Sequence, residues 1–137
     1  MSKIIQQTNV AKIALSMLFL GEGSKTHTAT VMFGNSNPII ISLFLKFLRK
    51  CYPVAESKLR CTVQCRADQN PQELKKFWAG ITAIPLKQFY KTQVDPRTVG
   101  KPMKKLDYKG VCRIDYLSAE VVCDLHQSIK VIELAGL

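Results

Sequence analysis

Residues 15–23 read Leu15-Ser16-Met17-Leu18-Phe19-Leu20-Gly21-Glu22-Gly23. The chain turns apolar before this stretch, and Thr8 or Asn9 stands where a helix start would be capped. From Val10 to Leu20 the only charge is Lys12 and the only hydroxyl Ser16. A helix of that composition has no face for water, so it predicts burial on several sides. Gly21 is expected to stop it, leaving Glu22 between two glycines. A carboxylate there meets the negative end of the helix dipole, a locally unfavourable placement of the kind found at functional sites. Glu22 is therefore a candidate catalytic or metal-binding acid, set against the plainer possibility of an exposed glutamate after a helix.

Outward from this stretch, the chain reads as α+β. Ser24–Ser36 alternates, with Ala29, Val31 and Phe33 on one side and Thr28, Thr30 and Met32 on the other, as in a half-buried strand. Asn37-Pro38 opens a helix to about Lys50, and Asn70-Pro71 opens another to about Ile81. Between them Lys58–Arg66 alternates most cleanly. Leu59, Cys61, Val63 and Cys65 fall on one face; Lys58, Arg60, Thr62, Gln64 and Arg66 fall on the other, which carries no acid. Cations with interspersed Gln and Thr suit phosphate contact and base-edge reading, though an ordinary solvated face has the same residue types. Phe89–Val94 reads as a strand with Lys91 and Gln93 on one side, and Asp95–Lys109 as a mobile basic loop. Gly110–Leu117 alternates again, with Arg113 and Asp115 outward, before a helix capped by Ser118. The expected order is α-β-α-β-α-β-β-α over one domain, residues 1–137.

The chain has 137 residues, 47% hydrophobic and 22% charged, a composition that excludes wholesale disorder. Twenty Lys and Arg against ten Asp and Glu give +10, which calls for a polyanionic partner, nucleic acid before anionic membrane. Five cysteines, an odd number, argue against a disulfide framework, and Cys61 and Cys65 read as small core residues rather than a zinc pair. Residues 1–7 lack the layout of a secretory signal, and the apolar runs Ile13–Leu20 and Pro38–Leu45 are too short to span a bilayer. The expectation is a soluble, intracellular protein.

An apolar helix ending in a small residue, an acid and glycine, followed by strands with a basic outer face, resembles the LAGLIDADG family. Leu15, Leu18 and Phe19 match the apolar positions of its nine-residue motif, Ser16 the small one, and Gly21-Glu22-Gly23 its ending. The resemblance implies a four-stranded, mainly antiparallel sheet with flanking helices. It implies two such helices side by side, here from two chains, so a homodimer with Leu15, Ser16, Leu18 and Phe19 at its interface. Glu22 and Gly21 of each chain would hold Mg²⁺ at the twofold axis, for cleavage of double-stranded DNA lying under a saddle of strands. Lys25, Thr28, Thr30, Lys58, Arg60, Thr62, Gln64, Arg66, Lys91, Gln93 and Arg113 would face the nucleic acid. Gln64 and Lys91 are added as catalytic candidates from strand-face position. The chain departs from the family's pattern at Met17, usually glycine, and at Leu20, often an acid. It also departs in having one strand where a two-stranded hairpin is usual, and in the added helix from Pro71. A site-specific endonuclease, a non-cleaving DNA-binding transcriptional regulator on the same scaffold, and a basic RNA-binding or structural module are the three functions left open.

Overall fold

The computed structural model describes residues 8–24, 29–102 and 107–134, with backbone only at 8, 9 and 20–24. In chain order the elements are α1 (Thr8–Glu22), β1 (Gly23–Ser24), β2 (Val31–Asn35), α2 (Pro38–Cys51), β3 (Leu59–Arg66), α3 (Pro71–Thr82), β4 (Gln93–Asp95), β5 (Val111–Tyr116) and α4 (Ala119–Leu134). The strands form one mixed sheet in the order β1-β2-β5-β3-β4. Three of its four pairings are antiparallel; β3–β4, joined through α3, is parallel.

Local chemistry explains the best-defined boundaries. The Asn37 carboxamide accepts from the Ile39 N–H at 2.9 Å, and Pro38 supplies a preset φ at the first helical position. Asn70 does the same for α3, accepting from Gln72 and Glu73, and Ala83 closes that helix with a left-handed φ of 58°. Tyr52 and Leu117 stand just past α2 and β5. Ser118 accepts from the Val121 N–H at the start of α4, as the sequence anticipates.

Two sequence expectations change. Gly21 does not stop α1, which runs on to Glu22. The segment after it is not one strand: Gly23–Ser24 pairs antiparallel with Met32 and Phe33, so a short β1–β2 hairpin follows the helix. Alternation over Ser24–Ser36 could not reveal this, because two residues of strand carry no periodicity of their own.

Val31, Phe33, Leu59, Cys61, Val63, Cys65, Cys112, Ile114 and Tyr116 project from one face of the sheet into a single core shared with all four helices. Phe33 stacks on Phe44 of α2 at 4.1 Å, and Trp78 of α3 is fully buried with its indole N–H donating to the Lys109 carbonyl at 2.8 Å. Cys61 and Cys65 are core residues, the Cys61 and Cys112 sulfurs lying 3.2 Å apart. No helix among the described residues is long and apolar enough to cross a membrane.

Candidate nucleic-acid interface

The helices cover one face of the sheet, and the residues that alternate with the core positions form the other. Register sets them in rows. Met32, Asp115 and Arg60 are neighbours across β2, β5 and β3; Gly34, Arg113 and Thr62 form the next row; Val111, Gln64 and Gln93 the third; Arg66 and Asp95 the last. Gln64 and Gln93 are exposed, Arg60, Arg66 and Arg113 partly so, and Thr62 and Asp115 are buried in the face.

The three arginines are not bare cations. Arg113 donates from Nε to the Asp115 carboxylate at 3.1 Å and from Nη2 to the Thr62 hydroxyl at 3.3 Å. Arg66 donates to Asp68 at 3.1 Å and to the Lys101 carbonyl at 2.7 Å. Arg60 folds its Nη1 onto the carbonyls of Ser57 and Leu59. β3 alone presents no acid, but its neighbours supply Asp115 and Asp68. Only the register reveals the first, and only the turn after β3 the second.

Two cations outside the recorded ion pairs stand along the β3–β4 edge. Lys87 and Lys91 are exposed there beside Tyr90, itself 44% exposed, whereas Lys58 lies just before β3, its carbonyl accepting from the Leu117 N–H. Gln88 fastens this segment, donating to the Glu56 and Leu59 carbonyls at 2.8 and 2.7 Å, and the Tyr90 N–H donates to the Cys61 carbonyl. Phe89–Val94 therefore runs along β3, bridging it at Phe89, yet makes regular strand pairing only over Gln93–Asp95. Lys87 and Tyr90 were outside the sequence-derived set; their only signal was a basic-aromatic run.

Farther along the same edge a cleft of about 660 Å³ opens among Gln64, Arg66, Arg97, Lys101 and Tyr108. The described residues of Asp95–Lys109 are tied to the turn after β3. Thr98 Oγ1 donates to the Asp95 carbonyl and accepts from the Ala67 N–H, and Gln69 donates to the Tyr108 carbonyl. Arg97 chelates Asp95 with both contacts at 3.0 Å, and these hydrogen bonds hold the Asp95 carboxyl below its usual range.

Glu22 is the last residue of α1 and adjoins β1 at one edge of the sheet. Gln64 lies in β3, three strands away, and Lys91 beyond it. At about 4.8 Å per strand that is roughly 14 Å, too far for either to share a reacting phosphate with Glu22 of the same chain. Sheet order is what strand-face position could not supply. Both residues belong with the open face and its edge. Thr30 is half-buried just before β2; Lys25 and Thr28 lie outside the described residues, as does the side chain of Glu22.

Within α1, Ala11, Leu15, Ser16 and Phe19 are fully buried in the chain's own core, Ser16 bonding back to the Lys12 carbonyl at 2.8 Å. Burying Leu15 and Phe19 contributes about 1.5–3 kcal/mol each. These two and Ser16 therefore cannot form an interface with another chain, and Leu18 is only half-exposed. The uncovered side is that of Ile13 and Met17, 50% and 49% exposed and one helical turn apart. No family model, curated protein or solved structure is matched by this chain.

Proposed function

We propose that two copies of this chain bind duplex DNA across their open sheet faces and cleave it as a LAGLIDADG-type endonuclease. The observation that carries the reading is the uncovered face itself. One side of a small sheet holds the helices, while the other displays guanidinium and amide groups, with Lys87 and Lys91 along its edge. Groups of this kind match base edges and phosphates, and a protein of net charge +10 has the long-range field to draw such a polyanion in.

Two further features favour the family's arrangement over a generic basic module. The β1–β2 hairpin after α1 removes one departure from the family pattern. The open Ile13–Met17 side of a helix whose opposite side is buried supplies what side-by-side packing against a second α1 requires. The interface then consists of Ile13 and Met17 with part of Leu18, rather than Leu15, Ser16 and Phe19.

Among the described residues no group of three or more His, Cys, Asp and Glu side chains gathers. A divalent ion would instead rest on Glu22, with Gly21 beside it, and on the same residues of the second copy. Oxygen donors in so small a number suit Mg²⁺, which keeps several waters. When bound, the metal would activate water and stabilise the leaving oxygen of the phosphodiester. Glu22 would supply the negative charge to hold it, and a bound cation would offset the unfavourable meeting of an acid with the C-terminal end of a helix. The basic groups orient the duplex.

Incubation of a randomised duplex library with Mg²⁺ tests this, wild type beside Glu22→Gln. Cutting at a defined sequence by the wild type, abolished by Glu22→Gln, is expected. Specific binding without cutting would move the chain to the non-cleaving regulator, and no duplex binding would overturn the reading.

A further inference from the structure

At the centre of the open face lies a depression of about 240 Å³ walled by Met32, Thr62, Gln64, Gln93, Val111 and Arg113. Its position follows from the topology. β5 is the middle strand, and Arg113 stands between Gly34, which has no side chain, and Thr62, which is short. One flank of the guanidinium is thus left open, and on the other its Nε and Nη2 are engaged by Asp115 and Thr62.

That arrangement is poorly suited to phosphate. A cation that only neutralises phosphate gains nothing from a carboxylate at 3.1 Å, because the acid offsets the charge the phosphate would use. Asp115 is 7% exposed, so its carboxylate cannot turn away into solvent. Reading a base edge has different needs. Two parallel hydrogen bonds from a guanidinium to guanine O6 and N7 require a fixed plane, and a side chain already held in place loses less entropy on binding. Asp115 and Thr62 fix that plane, while the guanidinium keeps further N–H donors for a ligand.

We infer that Arg113 is a guanine-reading residue of the duplex interface, with Asp115 and Thr62 as its positioning residues. Gln64 and Gln93, Cα partners across β3 and β4, flank it with carboxamides suited to the neighbouring bases. The exposed lysines of the β3–β4 edge take the phosphates. This division of labour rests on the duplex-binding reading and refines it, since Arg113 would otherwise count as one more backbone cation.

The experiment is selection of bound sequences from a randomised duplex library with a chelator present, followed by affinity measurements over a range of salt. The proteins are wild type, Arg113→Lys, Asp115→Asn and Lys91→Gln. Wild-type enrichment of a guanine at a fixed position is expected. Arg113→Lys keeps the charge but loses the fork, and should reduce the preference for that guanine roughly ten- to hundredfold. It should leave the other positions and the salt slope unchanged. Asp115→Asn should weaken the same preference, with circular dichroism confirming the fold. Lys91→Gln should weaken binding to all sequences and lower the salt slope by about 1. Duplex binding with base preferences untouched by Arg113→Lys would overturn the assignment alone, as would a uniform loss across sequences. No duplex binding by the wild type would overturn it together with the reading beneath it.

Discussion

Gly110 enters β5 with a φ of 77°, and a Cβ there would collide with the backbone carbonyl of Gln64. Both facts require glycine, one through the left-handed backbone and the other through space. Gly110→Ala should lower stability by about 2–3 kcal/mol in urea denaturation. A change below about 0.5 kcal/mol would mean that the backbone at the start of β5 is not held as described. Gly34, by contrast, would place a Cβ no closer than 3.7 Å to its neighbours. The sequence marks Gly110 only as the beginning of an alternating run; the carbonyl that excludes a side chain comes from another strand. Arg113 teaches the same lesson. Its alternation correctly predicts an outward side chain, but its engagement by Thr62 depends on a register that no local pattern encodes. Residues governed by their neighbours in sequence, such as Asn37, Asn70 and Ser118, were legible because each serves a backbone N–H two or three positions ahead.

At the scale of elements, α1 is tied to α4 and to the end of α2 by one polar cluster. Lys12 reaches the Asp124 carboxylate at 2.7 Å, and the Tyr52 hydroxyl donates to the same carboxylate at 2.5 Å. The Lys12 ammonium first, and the Tyr52 hydroxyl second, hold the Asp124 carboxyl below its ordinary 3.8. Its value is therefore lower folded than unfolded, so the stabilisation is present above the unfolded value and is lost as pH falls through the folded one. Urea midpoints taken from neutral pH down to about pH 3 should show this as a steeper acid loss in wild type than in Asp124→Asn. At neutral pH the variant should be less stable by roughly 0.5–1 kcal/mol, a modest figure because solvent screens the half-exposed pair. Parallel acid limbs for the two proteins would remove the cluster from the account. Nothing in the sequence joins residues 12, 52 and 124, whereas the apolar character of α1 was plain. Its sidedness was not: composition asked for burial all round, and the chain's own core covers only the Ala11–Leu15–Phe19 side. The β3–β4 edge was harder still, because its pairing is set by the Gln88 and Tyr90 hydrogen bonds rather than by alternation.

For the whole molecule, charge and exposed surface point the same way. The recorded ion pairs occupy Asp68, Asp95, Asp115 and Asp124 with Glu56, half of the ten acids, but only a quarter of the twenty cations, so most of the basic side chains remain for a partner to meet. That excess was readable from composition, as was the α+β class from the order of patterns. Strand order was not, and it is strand order that separates Glu22 from Gln64 and sets Arg113 at the centre. In the proposed assembly the open sheet face would take the duplex and the Ile13–Met17 side a second copy. Sedimentation equilibrium of the protein mixed with a duplex recovered from the library, wild type beside Met17→Lys, tests that union most directly. Two wild-type chains on each duplex, falling to one or to no complex with Met17→Lys, is the predicted result. A single wild-type chain on each duplex, or no complex at all, would contradict it.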